Sequence, residues 1–258
     1  MANVDQKIAV FDSGLGGISV LRELVQQMPR ERFLYFGDSA NAPYGSRPTA
    51  QVRELTLARI GELMDRGLKA VVIACNTATS AAIDVLRSRY PDTVVVGIEP
   101  ALKPAAEAFP TGKIIVMATE VTLREEKFVC LTEHYRGRCE IIPLPCPALV
   151  RFVERGELDS PAVEAYLRET LAPYLSPSPD AVVLGCTHFP FLKPAISRIV
   201  GEAVRFFDGS EGTGAQTKRL LSQRGLLRQR GEGSVTIENS LGTPEILTLS
   251  EQLLDVNL

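Results

Sequence analysis

The chain has 258 residues, enough for one large domain or two of roughly 100–150 residues each. With 45% hydrophobic and 23% charged residues it reads as an ordinary globular protein, and a net charge of −3 leaves no basic surplus for nucleic acid. No apolar run reaches the ~18 residues needed to cross a membrane, and the first residues carry no apolar signal core. The expectation is a cytoplasmic protein with neither nucleic acid nor membrane as partner.

The strand candidates, in chain order, are KIAVFD (7–12), RFLYFG (32–37), AVVIAC (70–75), TVVVGI (93–98), KIIVMA (113–118), CEIIPL (139–144), AVVLGC (181–186) and AVRFF (203–207). Most are continuously apolar, as strands covered by helices on both faces should be. Helical patterns lie between them, at 18–28, 49–67 and 160–175 among others. This alternation predicts parallel α/β architecture. After Asp208 the chain reads as a turn (DGSEGTG), a helix (AQTKRLLSQRG), then a further strand and helix.

The two halves echo each other. KIAVFDSG at 7–14 parallels KIIVMATE at 113–120, RFLYFGDS at 32–39 parallels CEIIPLPC at 139–146, and Cys75 parallels Cys186. The order and spacing of three strands are kept, which predicts two similar α/β units. The boundary falls near Pro100 to Pro104, and the tail packs back onto the first unit. The expected domains are 1–98 with 209–258, and 99–208.

Five cysteines (Cys75, Cys130, Cys139, Cys146, Cys186) form no CxxC pair and point to reduced thiols. With two histidines, His134 and His188, the second too close to Cys186 to form half of a finger pair and no second pair present, no metal is expected. Cys75 (KAVVIACNTATSAAI) and Cys186 (DAVVLGCTHFPFLKPAI) each follow a buried strand and precede hydroxyl or amide residues and a helix. Positive helix ends there would favour thiolates and bind a carboxylate through free N–H groups. Ser13, Asn76, Thr77 and Thr187 add neutral donors, and His188 could exchange a proton beside Cys186. Tyr44 sits in a Pro/Gly-rich loop (NAPYGSRP) that could cover a site. The plainer readings are two small buried hydrophobes, a histidine satisfied by a backbone carbonyl and a surface connection. DSGLGG at 12–17, with Asp38 ending the next strand, suggests a dinucleotide loop, but Ser19 stands where GxGxxG needs its last glycine.

These stretches resemble the glutamate racemases of the cofactor-independent aspartate/glutamate racemase superfamily. The resemblance rests on IAVFDSGLGGISVL (8–21), YFGDSANAPYGSR (35–47), ACNTATSAA (74–82), ATEVT (118–122), CPALVRFVERG (146–156) and LGCTHFPFL (184–192), in the family's order over almost the whole chain. It implies an α/β fold of two similar parallel-sheet domains related by pseudo-twofold symmetry, with the active site in the cleft between them. It also implies catalytic thiols at Cys75 and Cys186, auxiliary groups at Asp12, Glu154 and His188, and substrate contacts at Asp12, Ser13, Pro43, Tyr44, Gly45, Asn76, Thr77, Thr119, Thr122 and Thr187. Four positions depart from the family's usual residues: Ala118, Arg124, Phe128 and Arg151.

The implied reaction interconverts L- and D-glutamate without a cofactor, supplying D-glutamate for peptidoglycan synthesis, and the family commonly forms homodimers. One thiolate would remove the α-proton from one face, and the other thiol would deliver a proton to the opposite face. By the resemblance, Cys75 acts on D-glutamate and Cys186 on L-glutamate. The rival readings are a two-lobed amino-acid-binding protein, a nucleotide-dependent oxidoreductase, and another superfamily enzyme such as an aspartate racemase or a one-cysteine decarboxylase.

Overall fold

The computed structural model describes residues 3–256. It divides into two compact units, one running up to Glu99 and resuming over Ser210–Val256, the other spanning Pro100–Gly209. None of the helices among the described residues is long and apolar enough to cross a membrane.

The first unit is built on strands β1 (Ile8–Asp12), β2 (Arg32–Gly37), β3 (Ala70–Ile73) and β4 (Val94–Gly97). Helices α1 (Ile18–Gln27), α2 (Thr49–Met64) and α3 (Asn76–Arg89) connect them. The second unit holds α4 (Leu102–Ala108), β5 (Lys113–Ala118), α5 (Glu120–Arg124), α6 (Glu126–Tyr135) and β6 (Glu140–Pro145). It continues through α7 (Pro147–Glu154), α8 (Pro161–Leu171), β7 (Ala181–Leu184), α9 (Lys193–Val200) and β8 (Arg205–Asp208). The chain then adds α10 (Ser210–Gln223), β9 (Ser234–Asn239) and α11 (Pro244–Asp255) to the first unit.

The first sheet has the order β4-β3-β1-β2-β9 and the second β6-β5-β7-β8, with every pair of neighbours parallel. Each sheet starts from an inner strand, adds the second on one side, and crosses back to add the third on the other. The halves that echo in sequence therefore occupy the same places: β1 with β5, β2 with β6, β3 with β7. Reversal of this kind opens a crevice at the carboxyl ends of the first and third strands, where open α/β sheets bind ligands. In the first unit those ends are Asp12 and Cys75; in the second they are Thr119 and Cys186.

Burial on both faces explains the continuously apolar strands. Ala9, Phe11, Leu34, Val71 and Ile73 share a core with Val52 and Ile60 of α2 and Ala78, Ile83 and Leu86 of α3. The alternate residues Ile8, Val10, Phe33 and Val72 are equally buried, on the face covered by α1 and α10. In the second unit Ile114, Val116, Ala181 and Val183 pack with Leu102 and Ala105 of α4 and Phe128 and Tyr135 of α6. Pro143 and Pro145 fall on β6, an edge strand, where a missing N–H is tolerated.

The reading of DGSEGTG as a turn is corrected: α10 already begins at Ser210. Gly214 packs closely against α1, where an added Cβ would lie 2.7 Å from the Gln27 side-chain amide, whereas Gly212 faces open space. Local propensity is overridden here by tertiary contact.

At the amino-terminal end of the first sheet, Lys69 and Glu31 form a fully buried ion pair with Nζ 2.5 Å from Oε2. Lys69 Nζ also donates to Val4 O (2.7 Å) and Leu226 O (3.0 Å). Glu31 Oε1 accepts from Arg228 N (2.8 Å), and Glu31 O accepts from Ser234 N (3.1 Å). Two adjacent charges thus tie the returning tail to the strands it joins.

Candidate active site

In the first unit, Cys75 follows β3 and caps α3. Its Sγ accepts from Ala78 N at 3.4 Å, and Ser13 Oγ lies 3.4 Å from the same sulfur. Asp12 ends the neighbouring β1, is fully buried, and accepts from Gly14 N at 2.9 Å. The chain passes directly over it: a Cβ on Gly17 would lie 2.5 Å from Asp12 Cβ and 2.9 Å from Ala74 Cβ. Glycine at 17 is required by this approach, not by an unusual backbone angle. Asn76 and Thr77 open α3 and are buried, and Asn76 Oδ1 has no hydrogen-bond partner among the described residues. Positive helix end, thiol, hydroxyl and unsatisfied carbonyl thus meet at the switch point of the sheet.

The loop after β2 converges on Asp38. Tyr44 O–H donates to Asp38 Oδ2 at 2.8 Å, Asn41 Nδ2 donates to both carboxylate oxygens, and Arg59 Nε lies 3.6 Å from Oδ1. Burial first, then the hydrogen bond and charge of Asp38 and the nearness of Cys75, hold the Tyr44 hydroxyl well above the usual phenol value. Tyr44 is therefore a hydrogen-bond donor. Pro43 beside it is exposed and Gly45 is half-buried. Asp38 is fully engaged inside the protein and does not present itself to a ribose. In DSGLGG, the Gly14 amide is taken by Asp12 and the Gly14 carbonyl by Tyr35 O–H (2.7 Å). The dinucleotide reading loses both of its anchors.

In the second unit, Cys186 follows β7, with Thr187 and His188 after it. His188 Nδ1 is 3.6 Å from Cys186 Sγ, and Nε2 is 2.7 Å from Glu154 Oε1, at the last residue of α7. Burial by itself would lower the imidazole pKa; the hydrogen bonds and charges of Cys186 and Glu154 outweigh it and leave it raised well above 6.5. A protonated imidazole donates from both nitrogens, which suits a thiolate on one side and a carboxylate on the other. Cys146, preceding the same helix, donates its S–H to Leu144 O at 3.5 Å. Burial, and then the charge of Cys186, push its thiol up to about 12, so it stays neutral. Thr119 caps α5: its Oγ1 accepts from Thr122 N at 3.3 Å and lies 3.0 Å from Thr122 Oγ1. Ala118 packs on Gly185, where an added Cβ would sit 3.0 Å from Ala118 Cβ.

The expectation of a helix opening at Cys186 is corrected. A short 3-10 turn spans Phe189–Leu192, and α9 begins only at Lys193. Pro190 lies in the first turn of the 3-10 segment, where its missing N–H is tolerated. The two thiols share a place in their sheets and differ in their supports. The Tyr44–Asp38–Arg59 linkage was not foreseen: Asp38 was visible as a strand-end acid, whereas Arg59 reads as an ordinary helix charge. Nor were Asn239 and Ser240, which the tail brings beside the loop after β2. No cluster of three or more His, Cys, Asp or Glu among the described residues is placed to hold a metal ion.

A family model described as Asp/Glu/Hydantoin racemase matches residues 8–213. The glutamate racemase of Clostridium perfringens (strain ATCC 13124) is 48% identical over 250 residues, 96% of each chain. The crystal structure of glutamate racemase from Thermus thermophilus in complex with β-chloro-D-alanine aligns with a TM-score of 0.81 at 36% identity, over 97% of this chain and 94% of that one. That of glutamate racemase from Francisella tularensis in complex with D-glutamate gives a TM-score of 0.84 at 26% identity, over 98% and 95%. The chain belongs to the Asp/Glu/Hydantoin racemase family, together with the glutamate racemases that it matches over nearly its whole length.

Proposed function

We propose that this protein is a glutamate racemase that interconverts L- and D-glutamate by two-cysteine proton transfer, without a cofactor. The observation that carries the reading is the equivalent placement of Cys75 and Cys186 after the third strand of each sheet, each beside polar partners of its own. Inversion at one carbon needs a base on one face and an acid on the other, and two thiols in matching positions meet that need. Similarity to glutamate racemases along the full length supports glutamate as the substrate.

In the proposed reaction, one cysteine thiolate takes the α-proton: the Cα–H bond breaks and an S–H bond forms. The other thiol gives its proton to the opposite face, leaving its own thiolate. Each turnover exchanges the protonation states of the two sulfurs, and proton exchange with solvent restores them. Following the resemblance, Cys75 serves D-glutamate and Cys186 serves L-glutamate. Amides at the start of α3, with Thr77, would bind carboxylate, and the buried Asn76 Oδ1 would accept from the α-ammonium. Such contacts strengthen as charge builds on the carboxylate in the transition state. Ser13, Thr119, Thr122 and Thr187, with the Pro43–Tyr44–Gly45 loop, complete the substrate contacts. Asp12 assists at Cys75, while His188, held by Glu154, assists at Cys186. The same reading makes the enzyme a cytoplasmic homodimer supplying D-glutamate for peptidoglycan.

The test is Cys75→Ser and Cys186→Ser, assayed with each enantiomer and no added cofactor. Losing one acid–base group lowers racemisation by about 10²–10⁴-fold. Either variant should still eliminate the leaving group from a β-substituted glutamate, which needs only one base. In deuterated water the product acquires deuterium at Cα. Undiminished racemisation by Cys186→Ser rules the mechanism out, and turnover of aspartate in place of glutamate redirects the substrate.

A further inference from the structure

We infer that Asn239, at the end of the tail strand β9, is a positioning residue for the loop after β2 that bears Pro43, Tyr44 and Gly45. The inference rests on the proposed racemase function for its kinetic readout. Asn239 lies beyond the residues matched by the family model, on a strand added from the far end of the chain.

Asn239 is buried, and its amide is used at both ends. Nδ2 donates to Ser39 Oγ at 2.8 Å, and Oδ1 accepts from Leu241 N at 3.0 Å, which fixes the orientation of the amide. The next residue grips the same loop: Ser240 Oγ accepts from Ala40 N at 2.9 Å, and Ser240 N donates to Gly37 O at 2.9 Å. The first residues of the loop are thus tied to β9 through side chains. Its middle is tied to Asp38 through Asn41 and Tyr44, and Arg47 Nε donates to Asn41 O at 2.9 Å. Gly37 has room for neither a side chain nor a shift: an added Cβ would lie 2.9 Å from Asn239 Nδ2 and 2.4 Å from Gly14 O. Asn239 therefore sits against the stem of the loop, where a small displacement moves Tyr44.

The experiment compares Asn239→Asp, Asn239→Ala, Ser39→Ala and the double Asn239→Ala/Ser39→Ala with wild type. Ser39→Ala removes the partner of Asn239 Nδ2 and leaves Oδ1 on Leu241 N, so it separates loop positioning from the fold of the turn; in Asn239→Asp the bond reverses, the Ser39 hydroxyl donating to the carboxylate. Two readouts are taken: amide hydrogen exchange of residues 39–47 without substrate, and kcat and KM for glutamate. Ser39→Ala should exchange faster in that loop and lose about fivefold in kcat/KM, the worth of one hydrogen bond, while Asn239→Asp should stay nearer wild type. Asn239→Ala and Ser39→Ala should not add in the double variant. Loop exchange as slow as in wild type in Ser39→Ala overturns the inference. So does faster exchange with unchanged kcat/KM, or a lowered Tm with unchanged kinetics. If wild type does not turn over glutamate, the function falls, and loop exchange alone decides the positioning.

Discussion

Lys69→Met tests how the returning tail is held. The substitution roughly conserves volume and removes the ammonium from a site where Lys69 is 0% and Glu31 1% exposed. Glu31 keeps a single side-chain hydrogen bond, from Arg228 N at 2.8 Å, while Val4 O and Leu226 O lose their donor. Oε2 faces Nζ outside hydrogen-bond geometry, so its compensation is charge alone. Removing one partner of a buried pair leaves an uncompensated charge and costs about 3–5 kcal/mol. At about 2–4 °C per kcal/mol for a chain of this size, the thermal midpoint falls by about 10 °C. The double variant Lys69→Met/Glu31→Gln carries no charge, keeps an acceptor for Arg228 N, and should recover most of the loss. The assay is thermal unfolding by circular dichroism at neutral pH and moderate salt, which screens a buried pair little. Refutation takes either of two forms: a single substitution costing under about 1 kcal/mol, or a double variant as unstable as the sum of the singles.

Gly37→Ala puts a methyl 2.4 Å from the carbonyl oxygen of Gly14, which Tyr35 O–H holds at 2.7 Å. It should destabilise by about 1–3 kcal/mol and lower kcat/KM; a variant with wild-type midpoint and kinetics would show that the two strands part freely. His188 sets a pH dependence of stability. Its pKa in the folded protein is raised above 6.5, so its stabilising proton is fully present below about pH 6.5 and lost as pH rises through the folded value. The stability gap between wild type and His188→Asn, from denaturant titrations between pH 6 and 9, should narrow as pH rises; a constant gap contradicts the raised imidazole.

Burial made the sheets legible. A strand covered on both faces must be apolar throughout, so Ile8–Asp12, Arg32–Gly37 and Lys113–Ala118 stand within a residue of their sequence runs. The repeat of strand order was legible for the same reason, because three runs recur in register with two strand-end cysteines. What stayed hidden depends on contacts between segments distant in sequence. Ser210 to Gly214 reads as a turn until α1 is placed against it. Glu31 and Lys69 look like surface charges until strand pairing brings them within 2.5 Å. Asp38 looks like a ribose-binding acid until Tyr44, six residues on, claims it. Of the candidate site, the positions at strand ends were visible from pattern alone. Glu154, on the end of a helix, came only through the family resemblance.

The difference between the two thiol settings bears on the proposed mechanism. Cys75 sits at the start of a helix, with an amide and a hydroxyl each 3.4 Å from its sulfur. Cys186 has no helix start; it has an imidazole backed by a carboxylate. Neutral donors stabilise a thiolate without changing their own charge. An imidazolium stabilises it by a formal charge that can itself leave as a proton, so the second setting alone couples the sulfur to a titrating partner. In a reaction that swaps the protonation of the two sulfurs at every turnover, His188 is placed to return a proton at Cys186. Glu154→Gln should then slow the direction that resets Cys186 more than the other. The Haldane relation allows such a change in individual kcat values only if the KM values shift to keep the ratio of the two kcat/KM values fixed by the equilibrium between mirror images.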